Sequence, residues 1–264
     1  LSNAIARRIE GIVKQLPWPG PVTVPPGIAE DAAFQLAVDE ACLLAADGGE
    51  ISESFRLWEF RRPVVVLGRS SQHRLETDFD ECGRLGVGIY RRCSGGASIV
   101  GGPGCLMYSV VLSHQSRPSV STIGGAHNFV MESLLAAVRR QLPETRRDGI
   151  CDLVWHECKF SGNALRVARS HTLYHGTLLY DYDVDLIERC LAYAPRQPEY
   201  RRGRNHESFV TNAPLQLELL RNHLAETFSV SDVFSASSVE SVILPRAKTL
   251  VAERYKLESW RFKR

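Results

Sequence analysis

Between residues 94 and 104 the chain reads SGGASIVGGPG, five glycines in eleven residues, with VGIYRR ahead of it and LMYSVVL behind. Both flanks carry the β-branched, aromatic and aliphatic residues of strands. A stretch so poor in Cβ atoms is unsuited to a helix interior, where glycine loses the most backbone freedom. It predicts a loop between two strands whose N–H groups come close to a bound anion. It is not a P-loop, because no Lys-Ser/Thr follows the glycines, and the dinucleotide fingerprint G-x-G-x-x-G is also absent. Arg91 and Arg92 stand just ahead of it. Strand alternation sends them to opposite faces, so one faces the anion while the other is solvated or structural. Taken alone, the segment equally fits a plain glycine-rich hairpin with two surface arginines.

The surrounding pattern sets the fold class. DAAFQLAVDEACLLAAD places Phe34, Ala37, Val38, Ala41, Leu44 and Ala45 on a 3.6-residue period, with Asp31 as N-cap and Gly48 as stop. FRLWEF, VVVLG and VGIYRR read as strands, and LETDFDECGRLG as a helix ended by Gly86. Residues 124–142 and Leu215 to Phe228 read as two more helices, CDLVWHECKF and HTLYHGTLLYDYD as further strands. Paired strands with interspersed helices predict an α/β fold of α+β type: a mixed, mostly antiparallel sheet flanked by helices. LPWPGPVTVPPG holds five prolines and two glycines, so residues 1–27 read as an extension and 28–264 as one domain.

Composition closes off other classes. Thirty-two basic against thirty acidic side chains leave a net charge of +2, no global field for nucleic acid or anionic membrane. No run approaches the roughly 20 apolar residues of a membrane span, and the first residues lack a secretory pattern. Seven cysteines, at 42, 82, 93, 105, 151, 158 and 190, are odd in number and include no C-x-x-C pair. They read as reduced, mostly buried thiols of a cytoplasmic protein. His171 and His175 share one sheet face with no Glu base between them, so no metal site is expected.

Two further segments carry chemistry. Lys159 precedes Ser161-Gly162-Asn163-Ala164, small residues that leave room beside an ammonium able to neutralise a carboxylate and a phosphate together. A solvated rim lysine is the plain alternative. Next comes His175-Gly176-Thr177-Leu178-Leu179, where the glycine allows close packing and the leucines suit an apolar tunnel. The histidine orients a neighbour or is simply structural.

In order, FQLAVDEACL, LWEFRRPVVVLGRSSQ, RRCSGGASIV, CDLVWHECKFSGNA, HGTLLYDYDVDLIERCL, ESFVTN and ERYKLESWRF resemble the lipoate–protein ligase family, within the biotin and lipoate ligase superfamily. The resemblance implies that Arg92 and the loop Ser94, Gly95, Gly96, Ala97, Ser98, Ile99 and Val100 cradle an adenylate phosphate and an acyl carboxylate. It implies Lys159 as the essential lysine, with Ser161, Gly162, Asn163 and Ala164 beside it. A tunnel would run near Val65, Gly68, Arg69 and His175, Gly176, Thr177 to Leu179. Lipoate or octanoate would react with ATP and Mg²⁺ as co-substrates, with no tightly bound cofactor. The acyl group would then pass to a lysine of a lipoyl-domain protein: a 2-oxoacid dehydrogenase subunit or the glycine cleavage carrier protein.

Departures from the family pattern matter too. Gly101-Gly102 and Gly104-Cys105 replace His-Asp and Gly-Asn, Ala97 replaces a glycine, and Cys151 stands where Asn is usual. The chain ends at Arg264, about where the ligase core ends, so a separate accessory chain is an expected partner for adenylation. Related octanoyltransferases instead carry octanoate from acyl carrier protein on a cysteine, which lies where this chain reads Leu142-Pro143-Glu144-Thr145. A non-catalytic protein that binds acyl groups or lipoyl domains is the third reading. RQPEYRRGR, 196–204, suggests a basic stretch that steers acidic acceptor domains.

Overall fold

The period-3.6 stripe and the Asp31 cap produce α1, Ala32–Asp47, with Asp31 accepting from the Ala33 and Phe34 N–H groups. The computed structural model describes residues 31–192, 197–230 and 238–263; the expected extension 1–27 lies outside the described residues. Helix α1 packs across β5, Cys105–Ser113, and β10, His171–Leu179. Both strands are buried from end to end, with the polar side chains of His171, Thr172, His175, Ser109 and Ser113 buried among the apolar ones. They form the centre of a four-stranded antiparallel sheet, completed by β1, Ser54–Trp58, and β9, Asn163–Val167.

A second sheet carries the loop. In it β2, Val64–Leu67, pairs in parallel with β3, Gly88–Arg91, and antiparallel with β4, Ile99–Gly101. A third, antiparallel sheet joins β6, Arg146–Asp148, β7, Asp152–Trp155, and β8, Cys158–Ser161. Sheets with one parallel pair among antiparallel ones, covered by helices, match the expected α+β class. Further helices include α4, Ile123–Val138, and α5, Leu217–Thr227.

Several expectations change in detail. CDLVWHECKF is a hairpin rather than one strand, because His156 and Glu157 both adopt positive φ, 45° and 63°, and turn the chain. LETDFDECGRLG breaks into α2, His73–Glu76, and α3, Phe79–Leu85, since Asp78 starts a new N-cap and Thr77 bridges to Leu191. Gly86 does end α3, in the left-handed conformation at φ 67°. All seven cysteines are free, five of them buried and Cys151 and Cys158 half-buried. Among the described residues no helix is long and apolar enough to cross a membrane.

Charged groups inside this core are paired. Arg56 donates to Asp39 at 2.7 Å and also bonds Gln35, while Ser109 donates to the same Asp39 oxygen at 2.9 Å. Glu40 takes Arg166 at 2.5 Å, Tyr255 at 2.8 Å and Arg254. Burial alone would raise the Asp39 carboxyl, but the bond from His175 and the Arg56 guanidinium outweigh it and hold it below the ordinary range. A depressed folded-state value stabilises the fold above the ordinary carboxylate range, near pH 4, and is lost as pH falls through the depressed value. Asp39→Ala should therefore cost about 3–5 kcal/mol in urea unfolding at pH 7, for an uncompensated Arg56. The difference from wild type should narrow toward pH 3.

Candidate active site

Arg91 and Arg92 diverge at the end of β3, as alternation requires, but neither is solvated. Arg91 is fully buried and binds backbone carbonyls of Gly68, Ser71, Trp260, Arg261 and Lys263 at 2.7–3.0 Å. It pins the C-terminal segment behind the glycine loop. Arg92 turns the other way and grips the loop itself: Nη2 donates to Gly95 O at 2.5 Å and Ala97 O at 2.9 Å, and Nη1 to Val66 O at 3.1 Å. Burial pulls its pKa down to about 10, so the guanidinium stays charged at neutral pH.

A buried polar chain fixes that grip. Arg92 Nε donates to Ser94 Oγ at 3.0 Å, and Ser94 Oγ lies 2.5 Å from His175 Nε2. His175 Nδ1 lies 3.0 Å from Asp39 Oδ2, and Asp39 is held in turn by Arg56. The Asp39 carboxylate can only accept, so the His175 Nδ1 proton points at it. The loop closes on β2 so tightly that a Cβ on Gly68 would lie 1.9 Å from the Gly96 carbonyl. Gly96 itself sits at φ 85°. Glu76 accepts from both N and Oγ of Ser98, at 3.1 and 2.7 Å. The Gly96 and Ala97 N–H groups have no partner among the described residues.

Opposite the loop, the hairpin of β7 and β8 presents Lys159. Its Nζ lies 2.8 Å from Asp152 Oδ1, and Tyr200 donates to Asp152 Oδ2 at 2.7 Å. The lysine arches over Gly162, where a Cβ would meet Cε and Nζ at 2.9 Å. Gly176 has a similar reason: a Cβ there would strike Asn163 Oδ1 at 1.9 Å. Asn163 ties the site together, donating to Cys151 O at 2.6 Å and Ser161 Oγ at 3.2 Å and accepting from Tyr108.

These elements surround a cavity of about 710 Å³, within the range of small-molecule sites. Arg92, Gly96, Ala97, Ser98, Ile99, Lys159, Gly162, Asn163, Ala164, His175, Gly176 and Thr177 all line it. Five expected residues do not. Arg69 and Gly95 are exposed beside it, Ser94 and Ser161 are buried beneath it, and Val100 alternates away from Ile99 along β4. The apolar wall also differs: Leu36, Trp58, Val66 and Met107 form it, while Val65, Leu178 and Leu179 belong to the core. Trp58 is buried, and its Nε1 has no hydrogen-bond partner among the described residues.

Sequence reading missed Asp39 and Tyr200 and gave Asp152 no role. The available signal for Asp39 was a pair of acids, Asp39 and Glu40, set among the apolar residues of the helix. In the basic stretch, Arg196 lies outside the described residues, and Arg201 is buried against Phe209, which removes it from docking.

A sequence profile of the lipoyl protein ligase A/B catalytic domain matches residues 31–237. The chain belongs to that family. Among curated relatives, octanoyltransferase LipM of Kyrpidia tusciae is 26% identical over 226 residues, covering 75% of this chain and 82% of the relative. Octanoyltransferase LipM of Carboxydothermus hydrogenoformans is 26% identical over 257 residues, covering 88% and 94%. A solved structure from Thermoplasma acidophilum, described as a bi-partite lipoate protein ligase and its E2 lipoyl domain, shares the fold with a TM-score of 0.77. It is 20% identical, with 94% and 97% of the two chains covered.

The loop contact gives a direct test. Gly68→Ala must push the Gly96 carbonyl aside and should cost about 1–3 kcal/mol in thermal unfolding. Gly83→Ala, in α3 with nothing within 4 Å of the new Cβ, should instead gain about 0.5–1 kcal/mol.

Proposed function

We propose that this chain transfers a lipoyl or octanoyl group to a lysine of a lipoyl-domain protein by way of an acyl-adenylate. The observation that carries the reading is the Lys159 ammonium at one side of an apolar cavity whose other side is the Arg92-held glycine loop. The acyl chain would lie against Leu36, Trp58, Val66 and Met107, with its carboxyl group between Lys159 and the loop. ATP, entering with Mg²⁺ as counter-ion, would supply the α-phosphate that the carboxylate attacks, releasing pyrophosphate. Gly96 and Ala97 N–H groups would meet the phosphate, and Lys159 the charge that develops on phosphate and then on the carbonyl oxygen. A lysine amine of the acceptor then displaces AMP and forms the amide.

Between the two acyl groups, the unpartnered Trp58 N–H favours lipoyl. A dithiolane sulfur is a weak acceptor, whereas the methyl end of octanoyl offers none. Trp58→Phe should therefore narrow the preference for lipoate over octanoate when the two compete.

A second reading follows from the relatives named octanoyltransferase and from Cys151, which lines the cavity. In it the acyl group would come from acyl carrier protein and rest on that sulfur as a thioester. Against it, burial and then the Asp152 charge raise the thiol's pKa, and Sγ points to the Asn163 carbonyl at 3.2 Å. A thiol so placed is a poor nucleophile.

The deciding experiment incubates the chain with ATP, Mg²⁺, lipoate or octanoate, and a lipoyl domain, then weighs the domain. Acylation by wild type and by Cys151→Ala, with at least about 100-fold loss in Lys159→Ala, is the expected result. Failure of folded wild-type protein to acylate the domain both under these conditions and from preformed octanoyl-adenylate contradicts the proposal. Acylation only from octanoyl-acyl carrier protein, lost in Cys151→Ala, favours the thioester route.

A further inference from the structure

The proposed transfer step leaves one proton unassigned. An acceptor lysine arrives as an ammonium, with an ordinary pKa of about 10.4, and attacks only after losing a proton. Four carboxylates line the cavity: Asp39, Asp148, Asp152 and Glu199. Asp39 is already surrounded by Arg56, Ser109 and His175. Asp148 accepts from the Gly149 N–H of its own turn and lies 3.6 Å from Arg146. Glu199 is exposed. Asp152 differs from all three, being buried yet in direct contact with the Lys159 ammonium.

Resting on the function proposed above, we propose that Asp152 is a second catalytic residue, which binds the incoming acceptor ammonium and takes its proton. A carboxylate has about four lone-pair positions; Lys159 and Tyr200 occupy two of them. Burial, then the Asp152 charge, push the Tyr200 phenol pKa far up. That hydroxyl therefore remains a donor and holds the carboxylate in place. The incoming ammonium would sit beside Lys159, and two like charges in a half-buried site favour release of one proton. The acceptor R–NH₃⁺ gives a proton to Asp152–COO⁻, leaving R–NH₂ and Asp152–COOH. The nitrogen lone pair then forms the C–N bond as the carbonyl–phosphate C–O bond breaks and AMP departs. The amine's second proton passes to solvent, and Asp152 returns its own proton to solvent.

The test compares two nucleophiles on one acyl donor. Preformed octanoyl-adenylate is given to the full chain with either a lipoyl domain or hydroxylamine, which is already neutral at pH 7. Both reactions draw on Lys159, but only the lysine needs a proton removed. Asp152→Asn should slow transfer to the domain by about 100-fold while hydroxamate formation changes by less than about threefold. Asp152→Glu should restore part of the domain transfer. Equal losses with both nucleophiles would make Asp152 only a positioning residue for Lys159 and overturn the proposal, as would no loss with either. Should Asp152→Asn not fold, the same comparison on Asp152→Glu decides, with a loss confined to the lysine acceptor expected and a shared loss contradicting it. Wild-type protein inactive with both nucleophiles overturns the acyl-transfer reading itself.

Discussion

Everything at this site depends on one buried chain of polar contacts, from Arg56 through Asp39, His175 and Ser94 to Arg92. Each group in it is costly to bury alone, because an uncompensated charge or orphaned donor inside the core loses its hydration. Together they satisfy one another, and in doing so they connect α1, the central sheet and the glycine loop. The loop has few side chains of its own to hold it in shape. Arg92 supplies that shape by drawing the Gly95 and Ala97 carbonyls inward.

The same economy explains the opposite wall. Gly176 has no room for a Cβ beside Asn163 and the Gly162 carbonyl, and Gly162 lets Lys159 lie close over the backbone. Asn163 binds the backbone at Cys151 and the side chain at Ser161, which fixes the hairpin carrying Asp152 and Lys159. The lysine is thus held by a carboxylate on a rigid hairpin, facing a loop held by an arginine. Two pre-organised walls with an apolar floor suit a substrate that has a charged head and a greasy tail.

Much of this was legible in the sequence, for identifiable reasons. Helix α1 announced itself through period and caps, and β5 and β10 through aliphatic, aromatic and β-branched residues. The turn at His156 and Glu157 was hidden because no Gly, Pro, Asn, Asp or Ser marks it. Strand β9 was hidden by its small and charged residues, which suit an edge position covered on one side only. Lys159, Gly162, Asn163, His175 and the Gly96–Ile99 stretch, singled out by order and spacing, line one cavity. Arg69, Gly95 and Val100 do not line it, because a motif gives proximity along the chain, not which face each residue takes. Asp39 and Tyr200 were missed because the site residues they bind, His175 and Asp152, lie 136 and 48 residues away.

The measurement that bears most directly on the central claim is calorimetric titration with a non-hydrolysable octanoyl-adenylate analogue, such as the acyl sulfamate. Wild type should bind at one site per chain and Lys159→Met about a hundredfold more weakly, roughly 2.7 kcal/mol. Equal affinity in the two proteins, or no binding to the folded wild type, would contradict it.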